Sequence, residues 1–284
     1  MTFIKVLATL AVLAVLGAAA WFVKGILDEI ASPQLGASHL RESLESAQLP
    51  DVEPDELAFQ RAIELVATSQ FDEAREKFLF IVNFFPSSNS ADEARRILGE
   101  LNLDEVLSTD SMEGKAVHKV VRGDSFLKIA TKYDTTLDAI VHLNGLQGLD
   151  RLHPGDELVV MPLQFNVRIE AGKKRLSLWR DGRFVTSYPL VEVRSGESAS
   201  GVIRTKVRNK MGIEGTRVFR PIDEGYRTAA KVISLEARGL QIRQVPGGEE
   251  EDPGRGFFLN GPDMEELALL LRVGNEVEVR FPTQ

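Results

Sequence analysis

Residues His118–Pro162 read HKVVRGDSFLKIATKYDTTLDAIVHLNGLQGLDRLHPGDELVVMP, and this stretch decides the fold of the chain. Its hydrophobic periodicity changes from that of a strand to that of a helix and then back again. Cap and turn residues separate the segments, because Asp, Ser, Thr, Asn, Gly and Pro favour helix ends and turns. The pattern predicts four elements in order: a strand before Gly123, helices over 126–133 and 137–143, and a strand over 158–161.

This order of elements resembles a LysM module, a small fold that binds polymers containing N-acetylglucosamine, such as peptidoglycan and chitin. The matching residues are Val120-x-x-Gly123-Asp124-Ser125, Ile129-Ala130, Asn144-Gly145-Leu146 and Leu152-x-Pro154-Gly155-x-x-Leu158. Turn glycines, a helix cap and core positions therefore agree in order over the whole module.

The resemblance implies a shallow sugar-binding groove between the first strand–helix loop and the loop before the last strand. The groove residues expected from it are Gly123, Asp124, Ser125, Phe126, Asn144, Gly145, Leu146, Leu149, Leu152 and Pro154. Asp124 or Ser125 is also placed to cap the first helix, and Gly145 to end the second. We expect both roles together, because the loops that end the helices also form the groove.

The composition narrows the classes of function. The 284 residues suffice for two or three small domains, and a hydrophobic content of 43% indicates folded cores. The absence of cysteine excludes disulfides, a thiolate nucleophile and a lipid anchor on cysteine. The net charge is -8 and the acidic excess lies in the N-terminal half, so nucleic acid is not expected as a partner.

Residues 1–27 contain an uninterrupted run of apolar or small residues, Val6–Val23, between two lysines. This length is close to the lower limit for a transmembrane helix, and the flanking charges favour a cytoplasmic N-terminus. We expect an anchor in the inner membrane of a bacterial envelope, with residues 28–284 outside the cytoplasm. The alternative is a cleaved signal peptide and a secreted or periplasmic protein, because Ala18-Ala19-Ala20 offers a cleavage site.

Residues 28–54 predict a polar, mostly acidic linker. Residues 55–107 predict an α-helical hairpin, with its turn near Ser69–Asp72, and a further helix after it. The segment resembles a tetratricopeptide-type repeat, although only about one and a half units are present and stable arrays need about three. Two interpretations follow: a helical spacer that packs on its neighbours, or a groove for a protein partner.

Residues 164–284 predict a mainly-β domain, either a sandwich or a barrel, with a helix over Asp263–Leu271. Basic residues alternate along one predicted strand and would form a stripe on one face, namely Arg204, Lys206, Arg208 and Lys210. The stripe is interpreted either as a solvated strand face that discourages edge pairing, or as a contact for an acidic wall polymer or for the acidic helical region of the same chain.

The same segment resembles the L,D-transpeptidase catalytic domain. The matching features are Leu176-x-Leu178 with Asp181-Gly182, then Gly201-x-Ile203, and finally Asp263-x-Glu265-Glu266-Leu267 before Val273-Gly274. The family's active site is an Ile-His-Gly strand followed by a Ser-His-Gly-Cys-x-Arg motif. The corresponding degenerate positions in this chain are Arg243, Gly254, Arg255, Gly256, Phe257 and Leu259, and the resemblance places either Gly256 or Phe257 where the family has its cysteine.

The chemistry of that family is missing from residues 164–284, which contain neither cysteine nor histidine. A thiolate must attack the peptide carbonyl, and an imidazole must take and return the proton. The domain is therefore expected to be transpeptidase-like but noncatalytic. Two alternatives remain open: an L,D-transpeptidase that crosslinks peptidoglycan, and an envelope adaptor that acts through its helical segment.

The predicted fold class is multidomain α+β. Its parts are an N-terminal transmembrane helix, the α-helical hairpin, a βααβ LysM module at 116–163 and the mainly-β domain at 164–284. Peptidoglycan binding is the leading function. We expect no cofactor and no metal, because the four histidines, at positions 39, 118, 142 and 153, lack the spacing of metal ligands.

Overall fold

The computed structural model describes residues 53–149, 151–195, 200–237, 239–246 and 254–282. Within these ranges, none of the helices has the length and apolar character needed to cross a membrane. The predicted fold class is corrected accordingly, because the described architecture holds no transmembrane element. The segment on which that prediction rested, 1–27, lies outside the described residues, as does the predicted linker over 28–54 apart from its last two positions.

Three helices form the N-terminal part of the described chain: α1 (Pro54–Ala67), α2 (Phe71–Phe84) and α3 (Ala91–Leu107). Their apolar faces meet in one cluster that includes Leu65, Phe78, Ile81 and Leu98. The turn after α1 is made by Ser69, which has a φ of 60°. The structure therefore contains the predicted hairpin and the third helix that packs on it.

The LysM module follows, with β1 (Ala116–Lys119), α4 (Phe126–Lys132), α5 (Leu137–Leu143) and β2 (Glu157–Val160). The two strands are antiparallel, and His118 lies opposite Leu158. Hydroxyl groups cap both helices: the Ser125 side chain accepts from Lys128 N at 3.3 Å, and the Thr136 side chain accepts from Ala139 N at 3.0 Å. The βααβ order is the one that the sequence pattern predicts.

The C-terminal domain is a sheet that packs on one helix, α6 (Gly261–Leu270). Its strands are β3 (Asn166–Glu170), β4 (Arg175–Arg180), β5 (Arg183–Pro189), β6 (Glu192–Arg194), β7 (Val202–Glu214), β8 (Arg217–Phe219), β9 (Ala230–Leu235), β10 (Gln241–Gln244), β11 (Gly256–Leu259) and β12 (Glu276–Arg280). Among the described residues these ten strands run in the order β5-β4-β3-β12-β7-β9-β10-β11-β6, with β8 beside β7. Most neighbours are antiparallel, but β12 pairs in parallel with β3, and β10 with β11.

The strands of the predicted sandwich or barrel pair into one continuous mixed sheet. The reason is strand β7, whose 13 residues are long enough to serve two neighbours. Its first half pairs with β12, and its second half pairs with β9. Side chains from both halves of the sheet enter the same core, which also contains Met264 and Leu267 of α6.

A β-bulge between Val207 and Asn209 divides β7. Before it Val207 points into the core, whereas after it Lys210 and Gly212 are the buried residues. One extra residue shifts the alternation of a strand by one position and turns later side chains to the other face. The predicted basic stripe therefore does not hold for Lys210, which is only 5% exposed.

Helix α3 packs on the edge strand β5. Asn102 donates from its amide to the carbonyl oxygens of Phe184 and Val185, at 3.2 and 3.0 Å. Gly99 faces Thr186 so closely that a Cβ atom at position 99 would lie 2.6 Å from the Thr186 hydroxyl. The helices therefore cover a sheet edge that would otherwise be open to pairing with another chain.

The LysM module is packed directly on the C-terminal domain. The connection is the extended segment 161–165, whose Met161, Leu163 and Phe165 are all buried. Leu163 also donates its backbone N–H to the carbonyl oxygen of Asp134, at 2.9 Å. The module and the sheet thus share a packed connection in place of a free linker.

Side chains at the start of α5 complete this junction. The Thr136 hydroxyl donates to the carbonyl oxygen of Leu269 at 2.9 Å. The Lys210 ammonium donates to the carbonyl oxygen of Ala268 and lies 3.5 Å from the Asp138 carboxylate. Burial lowers the pKa of Lys210, and Asp138 opposes that effect.

Candidate functional site

The first loop of the predicted groove is built around Asp124. Its carboxylate accepts a hydrogen bond from the backbone N–H of Val121 and lies within hydrogen-bond distance of His118 Nε2, both at 2.9 Å. The other ring nitrogen of His118 lies 3.1 Å from the Tyr133 hydroxyl. These contacts tie the loop to β1 and to the end of α4.

The same partners set the charge state of Asp124. The Val121 amide and the His118 ring together hold the pKa of the Asp124 carboxyl below its usual value. Gly123 precedes it with a φ of 95°, a conformation that side chains with a Cβ rarely adopt. Ser125 then caps α4, so the loop has a fixed shape before any ligand arrives.

The second loop is held by Asn144. Its side-chain amide donates to the carbonyl oxygen of Val159 at 2.8 Å, and its side-chain oxygen accepts from Val159 N at 2.7 Å. This pair of bonds clamps the end of α5 to β2. Gly145 follows in the left-handed region, with a φ of 59°, so it ends the helix as expected.

The structure divides the ten predicted groove residues into three groups. Those that support the loops from beneath are Phe126, which is buried, and Leu146, Leu149 and Leu152, which pack against the module core. Those open to solvent are Gly123, Ser125, Gly145 and Pro154, while Asp124 and Asn144 are intermediate. Phe126 therefore has a structural role, because its side chain is turned away from solvent.

The two loops lie side by side. Gly155 donates its backbone N–H to the carbonyl oxygen of Val120, and Val120 donates to Asp156, both at 2.8 Å. The two loops that border the groove are thus hydrogen-bonded to each other at the end of β1. Sequence reasoning did not find the role of His118, although its position on β1, six residues before Asp124, was visible in the sequence.

Four of the six degenerate transpeptidase positions lie on strands β10 and β11, which pair in parallel, and Gly254 and Arg255 come just before β11. Phe257 and Leu259 face the domain core and are 1% and 0% exposed. A Cβ atom at Gly256 would overlap the carbonyl oxygen of Gln241. Both positions that align with the family's cysteine, Gly256 and Phe257, are therefore closed to a substrate.

The remaining degenerate positions do not assemble a reactive group. Arg243 is buried on β10 opposite Phe258 in the strand register, and the Arg194 guanidinium lies over the ring of Phe258, 5.0 Å from its centre. Gly254 has a φ of 79°, and Arg255 is exposed. Among the residues that the structure describes, this face of the sheet offers cations and an aromatic ring, and it holds no nucleophile beside a base.

Across the part of the chain that the structure describes, no three acidic, histidine or cysteine side chains are grouped so that they could hold a metal ion. The three described histidines belong to the LysM module, where His118 is engaged by Asp124, and His153 lies 3.7 Å from Asp156.

Residues 118–160 match the LysM domain family. This match confirms the LysM part of the predicted resemblance and supports peptidoglycan binding as the function of the module. A search of the curated proteins found no match for the chain.

Solved structures similar to this chain include three L,D-transpeptidases, the family that the sequence resemblance named. The enzyme from Stackebrandtia nassauensis is 14% identical, with a TM-score of 0.31, over 43% of this chain and 58% of that one. L,D-transpeptidase 1 from Mycobacterium tuberculosis is 11% identical, with a TM-score of 0.29, over 42% of this chain and 62% of that one. The enzyme from Mycobacterium smegmatis is 10% identical, with a TM-score of 0.31, over 44% and 63%. Each match spans less than two thirds of the other chain.

Proposed function

We propose that this chain binds the glycan strands of peptidoglycan in the groove between residues 123–126 on one side and residues 144–149 and 152–154 on the other. The observation that carries the proposal is the family match over 118–160, together with the two loops that the structure places side by side. The groove is rigid, because Asp124, Ser125 and Asn144 are each fixed by hydrogen bonds to the backbone. A preformed site loses less conformational entropy when a ligand binds.

The C-terminal domain serves this function without catalysing a reaction. Support comes from the sequence, which lacks cysteine and from residue 164 onward lacks histidine, and from the buried positions of Gly256 and Phe257. The alternative, an L,D-transpeptidase, requires a nucleophile at one of these positions. Incubation of the full chain with purified muropeptides should yield no crosslinked product, and a crosslinked dimer would restore the alternative.

The location that fits this function is the bacterial cell envelope, outside the cytoplasm, where peptidoglycan lies. An adaptor role for α1–α3 has less support, since α3 already uses part of its surface to pack on β5. A protein partner of the helical segment stays a prediction.

Gly148 offers a clean test of the groove. Its backbone is outside the left-handed region, and a Cβ atom there would meet nothing within 4 Å, so the branch point of a larger side chain meets no clash. Gly148→Trp places an indole in the loop after α5, which borders one side of the groove. We expect co-sedimentation of the full chain with insoluble peptidoglycan to fall at least about tenfold, equivalent to about 1.4 kcal/mol.

The matched control is Val218→Trp, which adds the same side chain at an exposed position of β8. It should bind the polymer as the unaltered chain does, and both variants should keep the same thermal unfolding midpoint. Undiminished binding by Gly148→Trp would refute this position of the groove.

A further inference from the structure

A pocket of about 490 Å³ opens where α4 and the start of α5 face β7, the loop after β8 and the turn before β12. This volume is within the range of pockets that hold small molecules. None of the ten predicted groove residues lines it, and none of the six degenerate transpeptidase positions does so. The pocket is therefore separate from both sites described above.

Most of the surface of this pocket is apolar. The apolar side chains that line it are Leu127, Ala130, Leu137, Pro221, Ile222 and Val273. Although they come from three separate elements, Leu127, Ile222 and Val273 are 59%, 44% and 53% exposed. Three large apolar side chains thus surround one opening, and an apolar ligand seated there would remove their surface from water.

The charged side chains of the pocket already have partners. Each has an opposite charge within 3.5 Å: Lys210 with Asp138, Arg272 with Asp134, and Arg220 with Asp223. A charged ligand would have to displace one of these partners and leave it without compensation. An uncharged ligand needs no such exchange, so the electrostatics of the pocket favour it.

The hydroxyl group of Thr135 is the feature that packing does not explain. Thr135 lines the pocket and is only 7% exposed, yet its hydroxyl has no hydrogen-bond partner among the described residues. Nε of Arg272, in the same lining, is also buried without a hydrogen bond to any described residue. Buried polar groups nearly always have a partner. Valine has nearly the shape of threonine, so a purely structural position would not need the hydroxyl.

An oxygen acceptor on a ligand would satisfy these two groups. The N–H of Arg272 can only donate a hydrogen bond, and the Thr135 hydroxyl can donate one as well. We propose that this pocket binds a small uncharged molecule that has an apolar body and one oxygen acceptor, as in a ketone, an amide or an alcohol. Such a ligand would contact the LysM module and the C-terminal domain at once, and its binding does not depend on the glycan groove.

The test titrates the full chain with three probes and follows the backbone amide signals by nuclear magnetic resonance. The probes are acetophenone, ethylbenzene, which has nearly the same shape without the oxygen, and benzoate, which is charged. We expect acetophenone to shift the signals of residues 130–138 and 220–222 and to bind more tightly than benzoate. Thr135→Val should weaken acetophenone binding about fivefold, the size of one hydrogen bond, and should not weaken ethylbenzene binding.

Two further variants serve as controls. Thr135→Ser keeps the hydroxyl and should keep the affinity for acetophenone within about twofold. Thr228→Val makes the same change as Thr135→Val at an exposed position outside the pocket, and it should alter the binding of neither probe. Thr135→Val should also leave the thermal unfolding midpoint unchanged or higher, because the hydroxyl that it removes has no partner.

Several results would overturn the proposal. One is the absence of acetophenone shifts at residues 130–138 and 220–222, and another is benzoate binding as tight as that of acetophenone. A Thr135→Val variant that loses no more affinity for acetophenone than for ethylbenzene would show that the hydroxyl does not meet the ligand. A lowered unfolding midpoint for the same variant would show that the hydroxyl serves the fold instead.

Discussion

At the scale of single residues, Asp124 shows how one side chain fixes a binding loop. It holds Val121 and His118 at once, so both the strand before the loop and the ring beneath it depend on its charge. A carboxyl whose pKa is lowered in the folded state stabilises that state above its unfolded pKa, which is about 3.9. The stabilisation is then lost as the pH falls through the lower, folded value.

Asp124→Asn should therefore lower the thermal unfolding midpoint of the full chain at pH 7. At a pH well below 4 the difference from the unaltered chain should shrink, because Asp124 itself becomes protonated there. Asp110→Asn, at an exposed position outside the module, serves as the control and should change little at either pH. A difference that is the same at both pH values would show that the charge of Asp124 is not responsible.

Residue-level patterns predicted the caps well and the buried partners poorly. Ser125 was recognisable as one of two candidate caps, with Asp124, because a cap is a local property of a few neighbouring residues. Phe126 was assigned to the groove, although it belongs to the core, because a sequence does not show which side of a short helix is covered. The clamp from Asn144 to Val159 spans fifteen residues and is equally invisible in a local pattern.

At the scale of elements, the contact between α3 and β5 explains why the helical segment is not an independent repeat. Gly99 lets the helix backbone approach Thr186, and Asn102 bonds to the strand's carbonyl groups. The resemblance to a tetratricopeptide repeat predicted the helices, but it could not predict this contact with a strand more than eighty residues away. The bulge in β7 was missed for a similar reason, since its sequence alternates regularly.

Gly99→Ala tests the closeness of this packing. Alanine favours a helix by roughly 1 kcal/mol over glycine, but its Cβ would lie 2.6 Å from the Thr186 hydroxyl and 3.3 Å from Thr186 Cα. Overpacking costs about 1–3 kcal/mol, so we expect a net loss in the free energy of unfolding measured with urea. The double variant Gly99→Ala/Thr186→Ala, compared with Thr186→Ala alone, should lose less. A gain in stability from Gly99→Ala would show that helix propensity outweighs the contact.

At the scale of the whole molecule, the LysM module and the C-terminal domain are coupled through α5. Thr136 reaches the end of α6, and Asp138 lies beside the buried Lys210 of β7. Neither the sequence of the LysM module nor that of the C-terminal domain shows by itself which surface of the other domain it contacts. The domain order could therefore be predicted from the sequence, whereas the packing of the domains could not.

Asp138→Ala should be strongly destabilising, because it leaves the Lys210 ammonium buried without its carboxylate. Removing one partner of a buried ion pair costs about 3–5 kcal/mol. Asp138→Ala/Lys210→Met should recover much of that loss, since an apolar side chain of similar length needs no partner. Urea unfolding of the full chain followed by circular dichroism gives both values. A cost below about 0.5 kcal/mol, typical of an exposed pair, would exclude a stabilising role for this contact.

The buried segment 161–165 determines how the LysM module is oriented relative to the C-terminal sheet. A binding domain on a flexible linker can reach a wide volume, and the domain attached to it keeps every orientation that the linker allows. Here the burial of Met161, Leu163 and Phe165 removes that freedom, so the LysM module is held in one orientation relative to the sheet. Each copy seated on a wall strand would therefore turn the same side of its sheet toward that strand. The LysM module therefore reaches a smaller volume than it would on a flexible linker. In return, the direction of a single bound polymer strand determines the orientation of the C-terminal sheet.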